Sequence, residues 1–422
     1  MKLKFILLIL LISAGTFISA QNDNKLTGVV RSAKDKKPLA FASIGIIGTG
    51  LGTITNESGI FTLIIPPENV TDSLTISYIG YKSWTGKIKL QRDTIYFEIV
   101  PEIYLLNEVV ILPGGITPAS ILSEAIKRIS KNYSGKQFYQ QAFYREMATL
   151  NKTYTRLIEA AIEIQDFGYD ASGDRLRLKV IELRKSDDFI ETGWIDFLVG
   201  KLYGSSNDLI KTLDNCDLVR QMYKMKNDFD PHNIKITLRG ISRFEDDEVY
   251  EIETENTRFY LPNSTTYYIK TSDYAIIQIE QKYHFPENPT KQDKKILALS
   301  AASKWETKSI YRKVGDKYFL FYGKFQEPAS FSAIKEETGL GSQFMQHEIL
   351  VNNILVKRVD YERVKRKERQ VKDSDLYKQD FEYHPAFWAN YTILLRNPLL
   401  KQVISDLNHG KTLEEQFFDN GD

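Results

Sequence analysis

Between Leu26 and Val110 the chain reads Gly28-Val29-Val30, Pro38-Leu39-Ala40-Phe41-Ala42, Gly48-Thr49-Gly50-Leu51-Gly52-Thr53, Asn56-Glu57-Ser58-Gly59-Ile60-Phe61 and Ser77-Tyr78-Ile79-Gly80-Tyr81. This stretch decides the fold of the front of the protein. Alternation in Leu74-Thr75-Ile76-Ser77-Tyr78 and in Ile95-Tyr96-Phe97-Glu98-Ile99 sends apolar side chains to one face, the period-two mark of a half-buried strand. Turn-forming residues separate the runs: Asp35-Lys36-Lys37-Pro38, Asn56 to Gly59, Pro66-Pro67 and Gln91-Arg92-Asp93. Short strands at this spacing predict a sandwich or barrel. Glycines 48, 50 and 52 read as a turn, because a phosphate cradle requires a helix after it and here another strand follows.

These motifs resemble the carboxypeptidase-regulatory-like domain, a seven-stranded-type, transthyretin-like β-sandwich found at the front of bacterial envelope proteins. The resemblance implies an accessory module without chemistry of its own and an envelope of the Bacteroidota type. It implies no ligand.

The first twenty residues predict export. Lys2 and Lys4 precede an apolar run from Phe5 to Ile12, and Ile18-Ser19-Ala20 supplies a small residue at the cut, so residues 1–20 read as a signal peptide and the mature chain begins at Gln21. The run is short against the ~20 apolar residues of a permanent span. No cysteine follows it to take a lipid, and no later run approaches spanning length. Loss of two lysines moves the formal charge from +1 to −1, which leaves no net field to attract nucleic acid or anionic lipid. A single cysteine, Cys216, excludes an internal disulfide and reads as a buried or idle thiol.

A boundary follows the first module. Leu106-Asn107-Glu108-Val109-Val110-Ile111 is expected to close the sandwich, and Pro113-Gly114-Gly115 breaks regular structure. A helix then starts at Thr117 as N-cap with Pro118 at its first position, presents Ile121, Leu122, Ala125, Ile126 and Ile129 on one face, and stops at Asn132-Tyr133-Ser134-Gly135. From Phe138 to about Val364 long alternating runs predict antiparallel strands: Leu176, Leu178 and Val180 against Arg175, Arg177 and Lys179, and Ile234, Ile236 and Leu238 against Lys235 and Thr237. Glu245-Asp246-Asp247, Thr271-Ser272-Asp273 and Val314-Gly315-Asp316-Lys317 punctuate hairpins, so a meander is the economical topology. Arg156 to Ile164 fits either a strand or a helix and is read as strand. The hairpin order, notably Tyr267 to Ile277, is similar to the curved half-barrel of periplasmic lipoprotein carriers, which implies a bent sheet with an apolar groove. The competing reading is a concave face filled by its own side chains, favoured for any single aromatic.

At the C-terminus Asn397 and Pro398 are expected to open a helix with Leu399, Leu400, Val403, Ile404 and Leu407 on one face and Gly410 at its stop. Thr412 and Glu415 form a capping-box pattern for a last helix. The basic run Arg363-Val364-Lys365-Arg366-Lys367-Glu368-Arg369, with Asp360 and Glu362 interleaved, reads as a solvated element. The expected organisation is therefore mainly β: leader 1–20, sandwich 21–112, linker and amphipathic helix 113–135, curved antiparallel sheet 136–365, helical segment 366–422.

Catalytic chemistry does not assemble in the sequence. His232, His284, His347, His384 and His409 are scattered without metal-ligand spacing. His284-Phe285-Pro286-Glu287 matches the His-x-x-Glu of zinc carboxypeptidases, but Pro286 and Pro289 put it in a loop and the chain before it lacks their doubly wound pattern. There is no Gly-x-Ser-x-Gly elbow and no Walker loop. No catalytic, cofactor-binding or metal residue is assigned, and no cofactor is expected. Three classes stand: a non-enzymatic exported envelope protein, an adaptor sandwich plus a domain that binds an envelope protein, glycan or lipid; a relative of TonB-dependent receptor N-terminal regions; and an unrecognised hydrolase. The first is preferred, in the periplasm or on the periplasmic face of the outer membrane, with no nucleic acid partner and no membrane-spanning segment after leader cleavage.

Overall fold

The computed structural model describes residues 24–91, 93–104, 115–150, 152–171, 175–189, 209–224, 234–256, 264–284, 304–328, 343–370, 375–395 and 399–421. The leader, Leu106 to Ile111, His232, Glu287 and the Asn397-Pro398 cap lie outside these residues.

Seven strands build the sandwich: β1 (Lys25–Ser32), β2 (Ser43–Ile46), β3 (Gly52–Ile54), β4 (Ile60–Ile64), β5 (Ser73–Ser77), β6 (Trp84–Lys87) and β7 (Ile95–Ile99). They form one sheet in the order β4-β1-β7 and a second in the order β3-β2-β5-β6, with β1 and β7 parallel. Leu26, Val30, Ile44, Phe61, Ile76 and Phe97 fill the space between them. Gly59, at φ +73°, turns the chain into β4, while Asn56 Oδ1 accepts from Ser58 N and Ile60 N; this is the turn its residues predict.

Among the described residues β7 is the last strand paired within the sandwich, and β8 (Ile103–Tyr104) pairs with the large sheet, Tyr104 opposite Ile241 and Ile103 opposite Ser242.

The larger domain contributes β9 (Phe138–Leu150), β10 (Thr153–Asp166), β11 (Leu176–Lys185), β12 (Lys235–Phe244), β13 (Asp247–Glu255), β14 (Ser264–Lys270), β15 (Ile276–His284), β16 (Lys304–Val314), β17 (Lys317–Pro328) and β18 (Gln343–Leu355). With β8 they make an eleven-stranded curved sheet in the order β11-β10-β9-β18-β17-β16-β15-β14-β13-β12-β8. The single meander is thus corrected to two. One runs β9-β10-β11, the other β12 to β18, and the pairing of β18 with β9 joins them. The ambiguous Arg156 to Ile164 lies in β10. Leu157, Ile158, Ala160, Ala161 and Ile162 are all buried, because the sheet is covered on both faces here and alternation is erased.

Helix α1 (Pro118–Lys127) has Thr117 as N-cap in a capping box with Ser120, and Pro118 at its first position. It ends at Arg128 rather than Asn132, and a separate turn, α2 (Ile129–Asn132), follows. Two helices interrupt the stretch expected to be mainly strands: α3 (Leu209–Cys216) and α4 (Leu218–Lys224). They lie on one face of β16 and β17. Ser309 Oγ donates to Cys216 O at 2.7 Å and receives Leu218 N at 3.2 Å, and Val219 N donates to Tyr311 Oη at 2.8 Å. A Cβ on Gly323 would stand 2.6 Å from Cys216 Cβ, so the glycine sets the helix-to-sheet distance. Cys216 is buried there. Over this part of the sheet the apolar face is filled by the protein's own side chains, the second of the two readings.

On the opposite face sit the sandwich and the C-terminal segment, which holds α5 (Pro385–Ala389), α6 (Leu399–Leu407) and α7 (Leu413–Asp419). Val403 and Leu407 of α6 are buried, but Ile404 is exposed, so the buried face is narrower than expected. Thr412 and Glu415 form the predicted capping box, and Gly410 has φ +87°. Arg312 of β16 fixes the sandwich: Nη1 donates to Leu51 O at 2.6 Å and Nη2 to Ile46 O at 3.2 Å. A Cβ on Gly45 or Gly52 would collide with this guanidinium, and one on Gly50 with the Ile354 carbonyl. Of the glycine run, Gly48 turns the chain at φ +80°, whereas Gly50 and Gly52 permit docking.

Candidate functional site

Three side-chain constellations carry ionisable chemistry. Two are buried. On the C-terminal-segment face, Arg145 and Arg184 share Glu159: Arg145 Nε and Arg184 Nε each donate to it at 2.8 Å, and all three side chains are at most 9% exposed. Arg145 Nη2 also donates to Leu394 O at 2.7 Å, and the Arg184 guanidinium lies 4.2 Å from the Trp388 ring centroid. On the helix face, Asp217 accepts from Tyr169 Oη at 2.7 Å, from Tyr311 Oη at 2.8 Å and from Arg220 Nε at 3.2 Å, and Arg220 also pairs with Asp166. Burial first of all raises the Asp166 carboxyl above its ordinary range, against the pull of Arg220. Further along this face Tyr144 Oη lies 2.8 Å from His347 Nδ1, and Arg156 bridges Glu146 at 2.7 Å and Asp188 at 3.2 Å. These are neutralised interior networks of the kind that specifies one packing.

The third constellation faces an open cleft of about 320 Å³ at the ends of β9, β10 and β11. Its floor is a row of polar side chains across three neighbouring strands, Gln141 of β9 opposite Glu163 of β10 and Glu163 opposite Lys179 of β11, and Asn353 of β18 stands opposite Gln141 beside the row. Asn353 Nδ2 donates to Gln141 Oε1 at 3.3 Å. Two residues along, on the same face, Leu355 lies opposite Tyr139.

The other wall is the strap that follows β18, residues 357–370. Its two anchors are Tyr361 and Val364, three residues apart, both buried. Tyr361 stacks on Tyr139 with centroids 5.0 Å apart and planes 13° from parallel, and Gln137 Nε2 donates to its Oη at 3.2 Å. Val364 N donates to Gln165 Oε1 at 3.2 Å and Gln370 N to Leu178 O at 2.7 Å. Arg358 donates to the Tyr361 carbonyl. Between these anchors Asp360, Glu362, Arg363 and Lys365 border the cleft. Lys179 Nζ lies 3.8 Å from Glu368 Oε1 and closes one end. Burial, followed by its bond to Glu163, drives the Tyr139 phenol far above its ordinary range, so it stays protonated and can donate to the Glu163 carboxylate.

The basic run read as a solvated element is exposed at Arg363, Lys365, Arg366 and Lys367, as expected, with Val364 buried among them and Arg363 and Lys365 bordering the cleft. The histidines remain apart. His347 is buried in β18, His384 caps α5 with Nδ1 3.0 Å from Glu182, and His409 packs on Phe189 at 3.9 Å between ring centroids. His284 ends β15, while the rest of its His-x-x-Glu match lies outside the described residues. Among the described residues no group of three His, Cys, Asp or Glu side chains is arranged to hold a metal, and no helix is long and apolar enough to cross a membrane.

Residues 26–111 match the family model of the CarboxypepD_reg-like domain. The match identifies the sandwich and leaves the cleft-bearing domain outside it. No curated protein matches the chain. Among solved structures the larger domain is similar to a DUF1329 family protein from Desulfovibrio piger, at 11% identity and TM-score 0.27, covering 58% of this chain and 95% of that one. A putative outer membrane lipoprotein-sorting protein domain from Vibrio parahaemolyticus matches at 9% and 0.23, over 58% and 97% of the two chains. A LolA superfamily protein from Nitrosomonas europaea matches at 10% and 0.21, over 58% and 94%.

Proposed function

We propose that this is an exported, non-catalytic binding protein of the cell envelope, in which the sandwich is a docked adaptor and the larger sheet carries the ligand site under the strap. The observation that carries the reading is the cleft itself: here the sheet's hydrogen-bonding side chains meet about 320 Å³ of open volume, whereas the Glu159 constellation is buried and the Asp217 one borders a space of only about 20 Å³. The filled helix face argues against an acyl-chain groove over β16 and β17. Cleavage after Ala20 and residence in the periplasm, or on the periplasmic face of the outer membrane, belong to the same reading, as does the division into a sandwich over 21–112 and a sheet domain over 136–365.

Native mass spectrometry of protein purified from an envelope fraction, with a crosslinking pull-down, tests it. A co-purifying glycan, protein or lipid supports binding, and an intact mass beginning at Gln21 supports export. A protein that arrives monomeric, ligand-free and without crosslinked neighbours, yet releases product from a peptide or glycan panel, is a hydrolase and overturns the reading.

A further inference from the structure

We infer that the cleft beneath the strap is a site for a short neutral saccharide. The inference rests on the binding reading above and gives its ligand a chemical class.

The floor row Gln141, Glu163 and Lys179 presents amide, carboxylate and ammonium in sequence across three strands, with Asn353 bonded to Gln141 beside it. Donors and acceptors therefore alternate within a few ångströms, since neighbouring strands stand ~4.8 Å apart. A ligand matching such a row must donate and accept at successive positions, as adjacent sugar hydroxyls do.

The charge balance points the same way. Glu163, Asp360, Glu362 and Glu368 line the cleft on one side of the ledger, Lys179, Arg363 and Lys365 on the other. Carboxylates exceed cations by one, so a phosphate or polyanion finds no excess of positive charge, and a polycation finds its carboxylates already shared, Glu368 with Lys179. An acyl chain would need apolar lining. Of the apolar residues here, Tyr139, Tyr361 and Val364 are only 5%, 8% and 5% exposed and are spent on anchoring the strap, which leaves Leu355 alone partly exposed, too little for an acyl chain. A volume of about 320 Å³ is at the small end of ligand pockets and suits one or two sugar rings. The stacked Tyr139–Tyr361 pair holds strap and floor in place before any ligand arrives, which lowers the ordering cost of binding.

Ligand-observed NMR and calorimetry on the mature full chain test the inference, using neutral di- to tetrasaccharides of glucose, mannose, galactose and N-acetylglucosamine. The comparison probes are a glucuronate-containing disaccharide, tri-lysine, tri-glutamate and phosphatidylglycerol vesicles. At least one neutral saccharide is expected to bind, and Glu163→Gln is expected to weaken it about tenfold by replacing a charged acceptor with a neutral one. Lys365→Ala, on the exposed rim of the strap, keeps the test alive if a floor variant misfolds; it is expected to weaken the same saccharide severalfold. Binding of a charged probe or of vesicles alone overturns the ligand class. Saccharide binding indifferent to both substitutions overturns the site, and silence across the neutral panel overturns the inference outright. Product released from a bound saccharide leaves the site standing and overturns the non-catalytic reading instead.

Discussion

Arg312 Nη1 donates to the carbonyl oxygen of Leu51 at 2.6 Å, from the large sheet into the β2–β3 turn of the sandwich. The guanidinium is partly buried with backbone carbonyls as its direct acceptors, and desolvation lowers it to about 10 although Glu245 pulls the other way. Desolvating a charge without a contacting carboxylate is costly, so the contact persists only because the turn supplies several oxygens in one place. Arg312→Met keeps the stem and removes the donors. It is expected to lower stability by about 1–3 kcal/mol and to speed amide exchange in residues 45–54 ahead of the rest of the sandwich. Uniform exchange with unchanged stability would contradict the pinning role.

Glu159 joins two guanidiniums in a dry interface. Glu159→Gln leaves Arg184 short of a counter-charge and Arg145 with Glu348 alone, 3.6 Å away, and is expected to cost about 3–5 kcal/mol in urea unfolding. Arg184→Met, which removes one of the competing cations but keeps its packing on Trp388, is expected to cost less.

His384 supplies a pH dependence. Its bond with Glu182 raises the imidazole above the ordinary 6.5. For a base raised on folding, the stabilising contribution is complete below pH 6.5 and is lost as pH rises through the folded value. The expected result is an NMR titration of His384 displaced upward, returning toward 6.5 in Glu182→Gln, with faster amide exchange over residues 382–391 on the alkaline side.

The sandwich has a core of its own, built on Leu26, Val30, Ile44, Phe61, Ile76 and Phe97. Expressed alone, residues 25–112 are expected to give strand-type circular dichroism and one cooperative unfolding transition, at lower temperature than in the whole chain because Ile54 packs into the larger core. A fragment without cooperative unfolding would make the sandwich dependent on the sheet.

What was legible in the sequence was local. The Asn56–Gly59 turn, the Thr117-Pro118 start of α1 and the Thr412–Glu415 box are each fixed by residues within a few positions of one another. Helix α3 left a trace in the spacing of Leu209, Leu213 and Cys216, which are all buried, but that period was hidden among strand-like neighbours. The cleft left no trace. Gln141, Glu163 and Lys179 each look like the solvent-facing half of an alternating strand, and only the pairing of β18 with β9 brings Asn353 beside their row. Arg312 likewise reads as an outward residue of a hairpin until the sandwich covers it. Val364 sits between charges in a run whose composition speaks for solvent, and its burial depends on Gln165, some two hundred residues earlier.

The junction between β9 and β18 has a temporal meaning as well. The sheet begins at its own middle: β9 is the first of its long strands to emerge during synthesis, and its neighbour on one side, β18, is the last. Gln343 must find Leu150 after everything between them has been made and, in an exported chain, translocated. Until then β9 presents an open edge of thirteen residues, able to pair with β10 but with nothing on its other side. The newly delivered polypeptide therefore has a defined interval of vulnerability to strand exchange, and it ends only when the final strand arrives.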